Sequence, residues 1–226
     1  MKKKIRLLWY DMKEMGISRF LPIVLLGGLF LFSQSLKSNP DGILRMLELF
    51  LPSICAWWII FLFHNYVEDE GAEVFFAYPT SRRFLGIIRV LIFYFLYLVV
   101  LLVFLISMCK SGCIKWQILG LYFMQLSVQS LFYGSCGFYF ILRTKSTLWS
   151  IAMILSIAAL TIWGNLPIIN SLITLRFYSN ENMRFENMWL NMVIILCISA
   201  FILYQGQRRF VQYERYQYDV STKSGE

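Results

Sequence analysis

The length of its uninterrupted apolar runs is what most constrains this chain. The run from Leu85 to Met108 carries a single charge, Arg89. A helix crossing a bilayer core needs about 20 predominantly apolar residues. Blocks of this character recur at about Phe20–Leu36, Leu47–Tyr66, Trp116–Leu142, Trp149–Trp163 and Met188–Tyr204. Only 15% of the 226 residues are charged and 58% are apolar, whereas a soluble domain carries roughly 25% charged residues. The sequence therefore reads as one all-α integral membrane domain over residues 1–226, with six transmembrane helices and no soluble domain.

The segments between the blocks set the orientation. With six spans and the N-terminus inside, fifteen basic residues fall on the cytoplasmic side and six outside, and basic residues favour the cytoplasm. Both termini are thus expected inside. The net charge of +8 follows this flanking pattern, not a basic stripe on a soluble fold, so no nucleic-acid partner is expected. The start, Met1-Lys-Lys-Lys-Ile-Arg6, has no prompt apolar core and no small-residue cleavage site, and no removable signal peptide is expected. Within residues 2–18, Ile5, Leu8, Trp9, Met12 and Met15 recur at helical spacing among lysines, as in an amphipathic helix lying in the interface. Ser38-Asn-Pro-Asp-Gly42 is a dense turn signal. Pro52 is expected to kink the second span, and Arg45 and Glu48 are spaced to pair. Residues 164–187 open with Gly-Asn-Leu-Pro and contain a short apolar stretch that reads as re-entrant or interfacial. Residues 207–226 form a polar cytoplasmic tail.

Several chemistries are missing from the sequence. No G-x-x-x-x-G-K-[ST] run cradles nucleotide phosphates, and no G-x-S-x-G or H-E-x-x-H motif is present. His64 and Glu68 are one turn apart, but a metal needs more ligands, so no metal site and no catalytic residues are expected. Spans three to six contain no acid of the kind that marks proton and ion relays. Cys109 and Cys113 share a short outer loop and are either free thiols or a disulfide. On span four, Tyr122, Gln125, Gln129, Phe132, Tyr133 and Cys136 follow one face. Such polar groups either bond neighbouring helices or line a substrate pathway.

One link stands out. Residues 68–83 contain Glu68, Asp69, Glu70 and Glu73, then Phe75, Phe76 and Tyr78, then Pro79 and the pair Arg82 and Arg83. This is either a short acidic helix whose aromatics dock in a partner's groove, or a solvated loop with its aromatics in the headgroups. The run E-x-x-F-F-A-x-P-T-S-R-R-F-L between spans two and three resembles the membrane subunits of type 2 ABC transporters, the ABC-2 permease family. The layout of amphipathic start, six spans and broken external segment resembles it as well. The resemblance implies that residues 68–83 carry the coupling helix for two copies of a separate cytosolic ABC ATPase, with ATP and Mg held on that partner and no cofactor in this chain. It implies a second permease subunit, identical or paralogous, in a bacterial plasma membrane, and export of a hydrophobic or amphipathic substrate, best a peptide. The competing expectation is a non-transporting scaffold or sensor subunit that binds a cytosolic partner through the same link.

Overall fold

The computed structural model describes residues 12–13, 15–35, 40–67, 84–163 and 185–223. Most of the amphipathic start, the link over residues 68–83 and nearly all of residues 164–187 lie outside the described residues. Six helices make up the rest: α1 (Leu21–Ser35), α2 (Pro40–Val67), α3 (Arg89–Lys110), α4 (Leu119–Thr144), α5 (Thr147–Trp163) and α6 (Phe185–Lys223). A 3-10 turn, Gly16–Phe20, leads into α1, and Pro22 sits in its first turn, where a missing N–H costs nothing. Among the described residues, four segments are long and apolar enough to cross a membrane: Gly16–Ser35, Gly42–Val67, Gly86–Lys110 and Trp189–Gln212. The architecture is that of an all-α membrane protein.

Helix directions follow from the contacts. Leu44 and Tyr122 meet at one end of α2 and α4, and Phe63 and Phe138 at the other, so these two helices run parallel. Helix α3 runs against them, with Arg89 beside Tyr66 and Tyr97 beside Leu51. Helix α6 runs with α4, from Ile195 near Phe132 to Gly206 near Phe138. Helix α4 is the centre, packed chiefly on α2 and α6 and also on α3 and α5. It is the most polar of the central helices, with Gln125, Gln129, Ser130 and Ser135 all buried. Its surroundings shield it, so it needs fewer apolar residues than a helix facing lipid. By contrast α3 presents Phe95, Leu96, Val99, Leu102 and Val103 outward, an apolar row suited to hydrocarbon.

Several boundaries differ from expectation. The turn expected over Ser38–Gly42 ends early, because α2 already begins at Pro40; proline at the first helical position is preset for helix. Pro52 sits inside α2 as expected and leaves the Glu48 carbonyl without its intrahelical donor. Helix α5 has 17 residues, about 25 Å at 1.5 Å per residue, short for a hydrocarbon core. Helix α6 runs 39 residues, about 58 Å, well past the expected end at Tyr204. After Gly206 its sequence has no Gly or Pro before Lys223. Once nucleated, a helix propagates cheaply through such residues, so the tail continues as a rod.

The turn after α3 explains the spacing of two cysteines. Gly112 has φ +77°, its N–H donates to the Cys109 carbonyl, and the Cys113 N–H donates to the Met108 carbonyl. This is a Schellman cap, in which glycine takes the left-handed position without penalty. Cys109 and Cys113, considered from sequence as a possible disulfide, are both buried free thiols. Ser111 donates to the Cys113 sulfur at 3.3 Å, and Gln34 of α1 reaches it at 3.6 Å.

Candidate functional site

Several long-range side-chain contacts meet where α2 ends and α3 begins, on either side of residues 68–83. At the close of α2, His64 Nδ1 lies 2.7 Å from Thr147 Oγ1 at the start of α5. The α4–α5 link is held rigid around this contact. Lys145 takes φ 54° and its N–H donates to the Ile141 carbonyl. The Ser146 N–H reaches Thr144 Oγ1 at 3.3 Å, and the Ser150 hydroxyl donates to the Ser146 carbonyl at 2.7 Å. Two residues therefore reverse the chain and present Thr147 to α2.

At the first residue of α3, Arg89 is only 1% exposed. Its Nη2 donates to the Tyr66 hydroxyl at 2.7 Å, and the guanidinium lies 4.4 Å from the Tyr66 ring centroid and 5.5 Å from that of Phe63. A desolvated guanidinium against aromatic faces is worth about 2 kcal/mol, and its planar fork suits it to stacking where an ammonium does not. Phe63 continues the cluster, 4.9 Å from Phe138 of α4 and 6.1 Å, edge-on, from Phe210 of α6. Arg209 of α6 lies over Tyr139 of α4 at 5.1 Å.

The backbone breaks just before α3. Gly86 has φ −96° and ψ −107° within the π-helical turn Phe84–Ile88, so the helix there does not join smoothly to what precedes it. Gln207 of α6 reaches into the break, and its Oε1 accepts the Ile87 N–H at 2.9 Å. A β-carbon on Gly86 would occupy the place of that same oxygen. The preceding residue of α6, Gly206, lies so close to α4 that its β-carbon would meet the Phe138 ring at 2.7 Å. Helices α2 to α6 thus converge on one fastened junction.

The polar row of α4 points elsewhere. Tyr122 donates to the Leu44 carbonyl at 3.1 Å, and Gln125 Nε2 to Glu48 Oε1 at 2.9 Å. Tyr133 is buried, while Phe132 is half-buried and packs on Met192 and Ile195 of α6. Gln129 is 4% exposed. Between these contacts the helices touch through small residues, with Gly134 under Ile59 and a β-carbon on Gly137 only 3.0 Å from the Ala56 carbonyl. The row therefore faces α2 and α6 inside the bundle, the arrangement of interhelical bonding. Glu48, spaced to pair with Arg45, has Gln125 as a partner; the Arg45 side chain lies outside the described residues.

Of the other residues singled out from sequence, Glu68, Asp69, Glu70, Glu73, Phe75, Phe76, Tyr78, Arg82 and Arg83 lie outside the described residues. So does Glu68 as a ligand beside His64, and among the described residues no group of three or more His, Cys, Asp or Glu could hold a metal. Sequence reasoning counted Arg89 among the cytoplasmic basic residues and Tyr66 among the aromatics at block ends, and gave no role to Gly86, Thr147 or Gln207. A charge inside an apolar run, three residues after a glycine, was the available signal for Arg89. Nothing local marked Gln207. The chain matches no protein family, no curated protein and no solved structure.

Proposed function

We propose that this chain is the membrane subunit of an ATP-driven exporter that moves a hydrophobic or amphipathic substrate, best a peptide, across a bacterial plasma membrane. In this reading α1 to α6 are six crossings with both termini cytoplasmic, and residues 164–187 form the external re-entrant region. Residues 68–83 seat on a separate ABC ATPase, which holds ATP and Mg, and a second identical or paralogous permease subunit completes the channel.

One observation carries the reading: the helical residues that flank the acidic, aromatic link on both sides are fastened to other helices. His64 and Tyr66 at its start bind α5 and α3, and Ile87 at its close binds α6. A displacement of the link therefore reaches α3, α5 and α6 together, as a device that converts a partner's motion into helix movement requires. A two-state element of this kind is shifted only by a partner that binds its states unequally, and an ATPase that closes on ATP is such a partner. The sequence contains no P-loop, and in this reading the ATP is held by another chain. The apolar outward faces and scarce charge favour a greasy cargo over a sugar or ion.

The test is purification from detergent of the wild-type chain and of Phe75→Asp/Phe76→Asp. An ATPase that accompanies the wild type and is lost from the double variant supports the reading. Binding that survives the double substitution moves the contact elsewhere. A bound partner that turns over no ATP supports a non-transporting scaffold or sensor instead.

A further inference from the structure

We propose that Gln207 is a positioning residue, an interhelical latch that caps the broken start of α3 and makes α3 and α6 move as one body. The latch deepens the exporter reading and, in its coupling role, rests on it.

The argument begins with backbone groups that a helix leaves unpaired. The first N–H groups of any helix have no intrahelical acceptor and are met by a side chain or by water. Such caps are usually local, supplied by a residue at the helix start. Here the break at Gly86 removes the local route, and no side-chain cap bond is made at Ile88, the residue before α3. The acceptor comes instead from 120 positions away in sequence, as the Oε1 of Gln207.

Two further features favour this acceptor. Gly86 has no side chain exactly where the amide oxygen must pass, so the site is open to Gln207 and closed to almost any other residue at position 86. Gly206 lets α6 approach the Phe138 ring closely enough for the glutamine to span the gap. Phe210, one turn on, seats edge-on against Phe63, which is also within reach of Arg89. The latch thus lies beside the aromatic cluster and on the path between the link and α6. A single neutral hydrogen bond is weak enough to exchange for water, and that reversibility separates a latch from a weld.

The experiment uses the full chain in nanodiscs and compares wild type with Gln207→Leu, Gln207→Glu and Gly86→Ala. Hydrogen exchange at the Ile87 amide should quicken about tenfold in Gln207→Leu, the scale set by one lost hydrogen bond, and stay slow in Gln207→Glu, which keeps an acceptor oxygen. Spin labels on Ile88→Cys and Arg208→Cys, in a Cys197→Ser background, should give one narrow distance in wild type and Gln207→Glu. A second population should appear in Gln207→Leu. Gly86→Ala should behave like Gln207→Leu; if it fails to fold, the leucine and glutamate variants still decide. Unchanged exchange at Ile87 in Gln207→Leu overturns the latch, and so does quickening spread evenly over α4 and α6. Where an ATPase accompanies the chain, Gln207→Leu should retain it while ATP turnover falls; unaltered turnover overturns the coupling role. If no ATPase accompanies even the wild type, the exporter reading falls, and the exchange and distance data still decide whether α3 and α6 are latched.

Discussion

Between Leu44 and Ala56, α2 is joined to its neighbours by neutral hydroxyls on backbone carbonyls, Tyr122 on Leu44 and Tyr97 on Leu51, and by the missing side chain of Gly137. Further along, around His64 and Tyr66, the same helix is held by a guanidinium, an imidazole and an aromatic cluster contributed from α3, α4, α5 and α6. The first region is a seam: the α2 and α4 backbones are so close that a β-carbon on Gly137 would lie 3.0 Å from the Ala56 carbonyl, and Gln125 on Glu48 adds a bond between side chains. The second is a joint, in which Arg89 and His64 reach across to groups on other helices and Phe63 packs against rings of α4 and α6. Two kinds of fastening therefore share one helix.

The largest effect should come from forcing the seam apart. Gly137→Leu places a branched side chain against the Ala56 carbonyl and should destabilise the fold by about 3 kcal/mol. A sharply lowered Tm and aggregation on size exclusion are the expected readouts; a tolerated leucine would mean that α2 and α4 are not closely apposed. Next comes the joint. Arg89→Met removes a charge-assisted hydrogen bond and the stacking on Tyr66, a loss of about 2 kcal/mol. Arg89→Lys should recover less than half of it in thermal unfolding, since an ammonium does not stack as a guanidinium does.

Back in the seam, Tyr97→Phe should cost only about 0.6 kcal/mol, the average for an interhelical hydrogen bond in a membrane. A cost as large as that of Arg89→Met would erase the distinction drawn between the two regions. Smallest of all is Gln129→Leu. The Gln129 Oε1 is buried without a hydrogen-bond partner among the described residues, and a buried group left unsatisfied is costly. Its replacement should leave Tm unchanged or slightly raised. A clear loss would show that the amide serves a bond made in another state of the bundle.

The seam was half legible in the sequence and the joint hardly at all. Helical spacing put Tyr122, Gln125, Gln129 and Tyr133 on one face, because a regular helix fixes facing from sequence alone. What the face meets depends on tertiary packing, so spacing alone favoured bonding between helices over a substrate pathway without naming the partners, Leu44 and Glu48 of α2. The apolar blocks coincide with the six helices of the described residues, four of which give segments long and apolar enough to cross a membrane. The ends were missed where composition was ambiguous: α2 starts at a proline inside an apparent turn, and α6 runs on through a polar tail. The joint depends on pairs separated by 23, 83 and 120 positions. No periodicity reports such pairs, and Arg89 in particular carried the same charge signal as the arginines before it.

The most direct test is ATP-dependent uptake of an amphipathic peptide into inverted membrane vesicles that carry this chain with its co-purified ATPase. The account predicts uptake that requires ATP and disappears with Phe75→Asp/Phe76→Asp. A bound, active ATPase with no uptake of any such peptide, or uptake indifferent to the double substitution, would contradict it.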